Sequence, residues 1–476
     1  MFFGRKQEIS QLLLLKKKKS ASLACISGRR RIGKSRLITE YGKHFKKFID
    51  IQGLGPDQSH SNQDQLNHFS KKLAYHFKTG VEHFDDWETA FSSFYEKVKH
   101  GECLLLLDEI SWMGGQDPLF AAKLKDAWDT LFKKNNKLIM VLCGSVSAWI
   151  DDNLLKNATF AGRISLAINL QELALPEINQ FWEKNNYMMG SLEKMLILSI
   201  TGGVPKYLEE VLQSETAEQN LIRLCFSPNG LLFNEFASIF EEVFQRRSNS
   251  FKKIINACLE SRYSPTEVAL KIGKTLNSEI SRDIEILELS GFLSRDYYFK
   301  PSGEISKLSH LRVKDNFLRF YLKVLQKEKL RVEKGGVKIS SLQQLTALNS
   351  IIGLQFENLI LSNRELLYPL IGIDQSQIVS AAPYIQKKNS KNKYGCQIDL
   401  LIHTRLDLFF LCEFKCKKII EKSIINEVTH KINALKLPRR SAIRPILVYE
   451  GEIYPGHHEK LDEYFFKIIH FSKLLE

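Results

Sequence analysis

The chain has 476 residues, and at roughly 150 residues per domain that length predicts about three domains. Apolar residues make up 44%, enough for several cores, and 68 Lys plus Arg against 54 Asp plus Glu leave a net charge of +14. This balance excludes an acidic, solvating disordered chain and suits a globular protein able to approach a polyanion. The eight cysteines lie scattered with no CxxC pair, which argues against a disulfide framework or structural zinc and for a reducing, cytoplasmic setting. The first residues turn charged at once, unlike a signal peptide, and no apolar run approaches the ~20 residues of a membrane span.

In chain order, the lysine run 16–19 ends a solvated first helix, and residues 22–27 read as a buried strand. Residues 91–98 have helical spacing, and 104–107 form a second strand that ends on Asp108 and Glu109. Leu124, Ala127, Trp128 and Leu131 share a helical face before a third strand at 138–143. Strands separated by helices predict a parallel α/β sheet, with ligands at the strand ends. Helical patterning dominates 173–212. From 251 to 299 the pattern is an apolar helix through Ile254 and Cys258, a second helix opened by Thr266, and a third from Ser278 to Leu289. Gly291 closes the third helix, and a short β-like tail follows. The charged stretch 327–341, with Gly335 and Gly336, reads as a linker. Mixed α/β patterning returns with strands at 398–402, 406–414 and 445–449.

Residues 28–35 read GRRRIGKS and fit GxxxxGK[ST] at every fixed position, between a strand and a helical stretch. Such a loop wraps so tightly that backbone N–H groups converge on phosphates, which is why it needs glycine. Gly28, Arg29, Arg30, Arg31, Ile32, Gly33, Lys34, Ser35 and Arg36 are therefore the candidate nucleotide contacts. Lys34 is expected to reach the β and γ phosphates, and the Ser35 hydroxyl to bind Mg²⁺. Asp108 is expected to hold the same Mg²⁺ and Glu109 to polarise the attacking water.

These pieces resemble the P-loop ATPases of the AAA+/STAND superfamily, and more closely the archaeal-type ATPase family. The resemblance covers most of residues 1–330 and also rests on FGRKQE at 3–8, LCGS at 142–145, Gly162–Arg163 and TGGVPKYL at 201–208. It implies that Ser145 is the sensor of the γ-phosphate or attacking water, that Arg163 is a trans-acting or lid arginine, and that a lid begins near Gly203 and Pro205. ATP and Mg²⁺ are then expected between the core and that lid. Residues 264–293 resemble a winged helix, but its third helix carries Glu279, Arg282, Asp283, Glu285 and Glu288, a poor set for reading DNA.

In the last region, strand alternation puts Glu413 and Lys415 on one face, where Asp399 of a neighbouring strand can join them. Acids in such apolar strands are costly unless paired or metal-bound. With Glu357, they resemble the PD-(D/E)XK nuclease superfamily, in the version attached to archaeal-type ATPases. That resemblance makes Glu357, Asp399 and Glu413 metal residues and Lys415 the catalytic lysine. Gln397 stands two before Asp399, where relatives often carry an acid. Residues 387–422 hold nine Lys or Arg against four Asp or Glu, a balance suited to a DNA backbone.

The resulting expectation is a P-loop ATPase core at 1–170, a helical lid at 171–245, a winged helix at 246–326, a linker at 327–344 and a restriction-endonuclease-like α/β domain at 345–476. ATP, Mg²⁺ and DNA are the expected ligands, with no membrane and with a homo-oligomer in view. The rival expectation is a nucleotide-dependent regulator whose last domain no longer cuts.

Overall fold

The computed structural model describes residues 2–476 except 56–59, 116, 146–147, 157–159, 237–247, 300–302, 387–393 and 439. It divides into two compact units, one comprising 1–173 with 289–291 and the other 174–288 with 292–476.

The first unit is built on a parallel sheet of β1 (Ser22–Gly28), β2 (Phe48–Gln52), β3 (Cys103–Asp108), β4 (Leu138–Ser145) and β5 (Ile164–Leu170). Its order is β2-β3-β4-β1-β5, with every neighbouring pair parallel. Every residue of β1, β3 and β4 is buried, as strands covered on both faces require. β2 and β5 lie at the edges and alternate in exposure, which is why their apolar signal is weak in the sequence. Helices Asn62–Phe77, Trp87–Val98 and Phe120–Thr130 cover the sheet with an aromatic cluster. Within it Phe69 meets Trp87, Phe91 and Phe94 edge to face. Such pairs add about 0.5–1.5 kcal/mol each beyond the area they bury.

In the second unit, helices Leu175–Lys184, Ser191–Thr201 and Ala217–Phe226 confirm the helical reading of 173–212 and extend it. Three helices follow, Ser248–Ala257, Pro265–Lys271 and Ser278–Leu289, and then an antiparallel hairpin of β6 (Leu293–Phe299) and β7 (Ile305–Val313). The second of these helices is opened by Ser264 and not Thr266. Ser264 and Glu267 form a reciprocal capping box with Pro265 in the first turn. The expected linker is also corrected at its start, because Gln326–Glu333 is helical. It continues from Asn316–Phe320 through a π-turn and is supported by the Arg331–Glu328 ion pair at 2.8 Å. It buries no residue, so it lacks the apolar stripe that reveals a helix in sequence.

The last part carries a mixed sheet of β8 (Ile378–Gln386), β9 (Cys396–Thr404), β10 (Leu408–Ile420), β11 (Ala442–Ile453) and β12 (Lys467–His470), in the order β12-β11-β10-β9-β8. β8, β9 and β10 pair antiparallel, while β10, β11 and β12 pair parallel. Helix Ser423–Ala434 closes one face through Ile424 and Val428.

Candidate functional site

At the end of β1 the chain turns through Gly28 to Gly33 into helix Lys34–Gly42. A Cβ on Gly28 would lie 2.7 Å from the Leu170 carbonyl oxygen, and Gly33 has φ 91°, so both glycines are dictated by backbone geometry. Lys34 is buried, and its ammonium donates to the carbonyls of Gly28 and Arg29 at 3.1 and 3.2 Å, which draws it into the loop. Arg29 pairs with Glu172 at 3.5 Å. Arg31 holds φ 66°, Arg30 and Arg31 are half-buried, Ile32 is buried beneath the loop, and Arg36 is exposed on the helix. Ser35 donates to Asp108 at 2.6 Å, so the two expected Mg²⁺ groups meet across the sheet edge. Hydroxyl plus carboxylate is a hard oxygen donor set of the kind Mg²⁺ takes beside phosphate.

β4 lies between β1 and β3 and brings Ser145 level with Gly28. Glu109, at φ 48° just past β3, accepts from the Ser145 amide at 3.2 Å and its hydroxyl at 3.4 Å. Burial, with a contribution from the Asp108 charge, pushes the Glu109 carboxyl above its ordinary value, while Lys34 opposes the shift. A carboxylate made more basic in this way is better suited to take a proton from water.

Arg163 stands elsewhere. It immediately precedes β5, whose first residue Ile164 is level with Leu23 at the start of β1, about 16 Å along the strand from Gly28. Its guanidinium holds Asp129 with two contacts at 2.9 Å and one at 2.8 Å. Within its own chain Arg163, expected as a trans-acting or lid arginine, is therefore not beside the phosphate loop. Arg5 is a residue that sequence reasoning passed over. It is buried and donates to the Ile32 carbonyl at 3.2 Å and the Gln171 carbonyl at 2.6 Å, tying the phosphate loop to the exit of β5. Its place in the FGRKQE segment was the available signal.

A family model described as an ATPase domain predominantly from Archaea matches residues 2–211. The amino-terminal region is a P-loop ATPase domain. The chain is 22% identical over 364 residues to the uncharacterized protein MJECL04 of Methanocaldococcus jannaschii, covering 75% of this chain and 76% of that one. Among solved structures, the Walker-type ATPase PABY2304 of Pyrococcus abyssi is similar at 17% identity and TM-score 0.49, over 68% of this chain and 96% of that one. The ORC2 protein of Aeropyrum pernix, in its ADPNP–ADP complexes, is similar at 10% identity and TM-score 0.40, over 70% of this chain and 94% of that one. Among the described residues no helix is long and apolar enough to cross a membrane.

The carboxy-terminal sheet holds a second candidate site. Glu357, Asp399, Glu413 and Lys415 all line one cavity of about 580 Å³. Asp399 accepts from the Phe414 amide at 2.8 Å, which locks β9 against β10 and fixes its carboxylate beside Glu413. Glu413 is buried and receives the Lys431 ammonium on both oxygens, at 2.8 and 2.6 Å, and Lys415 at 2.9 Å. Lys415 also reaches Glu427 at 2.8 Å. Burial and the Asp399 charge push Glu413 up to about 7, against the pull of both lysines. Burial would lower Lys415, but Glu413 and Glu427 outweigh it and hold the ammonium protonated.

Sequence reasoning missed Glu427 and Lys431, because they arrive on helix Ser423–Ala434, outside the strand motif. Glu357 is engaged by Arg262, whose guanidinium contacts it directly. Among the described residues no set of three or more His, Cys, Asp or Glu side chains stands close enough to hold a metal ion. The expected metal residues Glu357, Asp399 and Glu413 share the cavity, with Glu357 engaged by Arg262. Asp399 and Glu413 alone still fit an ion such as Mg²⁺, which takes one or two carboxylates and fills its shell with water and phosphate oxygens. Residues 387–393, part of the expected basic stretch, lie outside the described residues.

Arg282, Asp283, Glu285 and Glu288 of helix Ser278–Leu289 are used internally, while Glu279 is exposed. Asp283 is buried and accepts from Ser250 at 2.5 Å, Arg282 pairs with Glu285 at 2.7 Å, and Glu288 takes both donors of Arg295 at 2.8 Å.

Proposed function

We propose that this chain is an ATP-hydrolysing switch whose carboxy-terminal domain cleaves DNA with a divalent cation. The observation that carries the nuclease half is that Asp399, Glu413 and Lys415, from two hydrogen-bonded strands, line a single cavity. In the ATPase half, Lys34 and the loop amides bind the phosphates, and Ser35 and Asp108 hold Mg²⁺. Glu109 takes a proton from water, and Ser145 orients Glu109 through its amide and hydroxyl. Bound Mg²⁺ supplies charge neutralisation on the phosphates. In the nuclease half, Asp399 and Glu413 hold the cation, which supplies polarisation of a phosphoryl oxygen. The Lys415 ammonium stabilises charge on the phosphate.

This reading takes the helix-turn-helix with its hairpin as a winged helix and the mixed sheet as a PD-(D/E)XK fold, with boundaries near 170, 245 and 345. Because the single arginine of the third helix is paired with Glu285 and its other charged groups are acidic, the winged helix serves as a packing module and the DNA contacts fall to the carboxy-terminal domain. Arg163, remote from its own phosphate loop, fits a role toward a second copy in a homo-oligomer.

Asp399→Ala is expected to abolish Mg²⁺- or Mn²⁺-dependent DNA cleavage and leave ATP hydrolysis unchanged. An unchanged cleavage rate in the purified variant would refute the nuclease half. A second reading, a nucleotide-dependent regulator with a non-cutting nuclease fold, is favoured by the pairing of Glu357 with Arg262 and of Glu413 with two lysines. Absence of cleavage on every DNA form tested, with ATP turnover intact, selects it.

A further inference from the structure

Behind Glu357 lies a smaller cavity of about 100 Å³, lined among others by Arg262, Arg312, Arg319, Glu357, Asn358 and Gln397. Three guanidiniums in one buried space are expensive unless each donor finds an acceptor. Most of them do. Arg312 donates to Asp296 at 3.3 and 3.1 Å and also reaches Asn358. Arg319 donates to Gln355 at 2.6 Å and to the Val313 carbonyl at 2.7 Å. The carboxylates nearby are already committed. Glu357 meets Arg262, Asp315 caps helix Asn316–Phe320, and Glu260, at the rim, is drawn outward to Lys323.

What remains is a surplus of donors. Arg262 Nη1 and Arg319 Nε are buried with no hydrogen-bond partner. Burial, reinforced by Arg312, pulls the Arg262 guanidinium below its ordinary value, and burial with the other two guanidiniums brings Arg319 down to about 9. Arg319 is bonded only to neutral acceptors, Gln355 and the Val313 carbonyl, and Arg262 keeps one donor beyond its contact with Glu357. Gln397 is exposed at the mouth, and both Gln397 and Glu357 also line the larger cavity, so the two cavities share a wall.

We propose that this arginine cavity binds the terminal phosphate of a nucleic-acid strand. A tetrahedral phosphate fits the space, whereas a nucleoside needs a pocket of several hundred Å³. A guanidinium presents its donors to two phosphate oxygens at once, which suits Arg262 better than a point charge would. The strand part of the assignment rests on the nuclease reading, because it places the following nucleotides in the larger cavity. The phosphate part does not.

The test compares oligonucleotides of one sequence that carry a 5′-phosphate, a 3′-phosphate or hydroxyl ends. Binding is read by fluorescence anisotropy in EDTA without nucleotide, with inorganic phosphate as a separate arm read by thermal shift. One phosphorylated end is expected to bind about tenfold more tightly than the hydroxyl end, and Arg262→Gln to erase that preference while ATP hydrolysis is unchanged. Gln397→Glu, at an exposed position where folding is not at risk, is expected to weaken the same preference by charge repulsion. Equal affinity for all ends, or a preference that survives both variants, would overturn the proposal. Stabilisation by inorganic phosphate alone, lost in Arg262→Gln, would overturn the strand assignment. Because no cleavage is needed, Asp399→Ala should keep the preference, so failure of the nuclease reading is separately visible.

Discussion

The phosphate loop and the carboxy-terminal cavity both set acids beside lysines, yet they hold their charges by different means. In the loop, Lys34 is held by backbone carbonyls, and Asp108 and Glu109 by Ser35 and Ser145, so no acid is neutralised by a lysine. In the cavity, Glu413 is bonded by two ammoniums at once. A site built on backbone and hydroxyl groups stands ready for its ligand, whereas one closed by its own ion pairs has to exchange partners before a cation can enter.

The largest expected effects test the loop. Glu109→Gln should retain ATP binding but slow turnover by about 10²- to 10⁴-fold, measured as phosphate release. Lys34→Ala should weaken ATP binding by about 100-fold in calorimetry, since it removes a desolvated charge partner. The cavity should respond in the opposite direction. Lys431→Ala removes one of the two ammoniums on Glu413, and Mn²⁺ affinity should rise by about tenfold, worth about 1.4 kcal/mol; a fall in affinity would mean that the lysine supports the ion instead of competing with it.

Arg5→Ala sharpens the contrast by disturbing the backbone that frames the loop. It leaves the Ile32 and Gln171 carbonyls without their donor and should cost about 2–3 kcal/mol of stability in denaturant unfolding. The smallest effect is expected at Glu450, a buried strand acid held by Ser191 at 3.2 Å with its Oε2 unpartnered. Burial raises its folded-state pKa, so the folded chain holds the proton more tightly and this group's contribution to stability falls as pH rises through and above the ordinary carboxylate range. Glu450→Gln should therefore raise the melting temperature slightly at pH 8, with the gain fading toward pH 4.

Much of the first unit was legible because its evidence is contiguous. Eight residues encode the phosphate loop, and the fully buried, largely apolar β1, β3 and β4 announce themselves. β5 and β2 were harder to see, since edge strands alternate with exposed polar residues. The helix Gln326–Glu333 was hidden because it is mostly charged and buries no residue. In the carboxy-terminal region, strand alternation correctly put Glu413 and Lys415 on one cavity wall. The partners that change their chemistry, Lys431 and Glu427, come from a later helix, and Arg262 comes from a segment about ninety residues before Glu357.

The sequence by itself determined where a triphosphate-binding loop stands and which acids follow the strand beside it, because those geometries are set by backbone rules acting over a few residues. Tertiary structure decided which of the remaining charges are available. Arg163 is committed to Asp129, Glu357 to Arg262 and Glu413 to Lys431 as well as to its strand neighbour Lys415, and all but the last of these pairings join residues well separated in the chain. Electrostatic energy depends on distance and burial, and neither can be read from spacing along the chain.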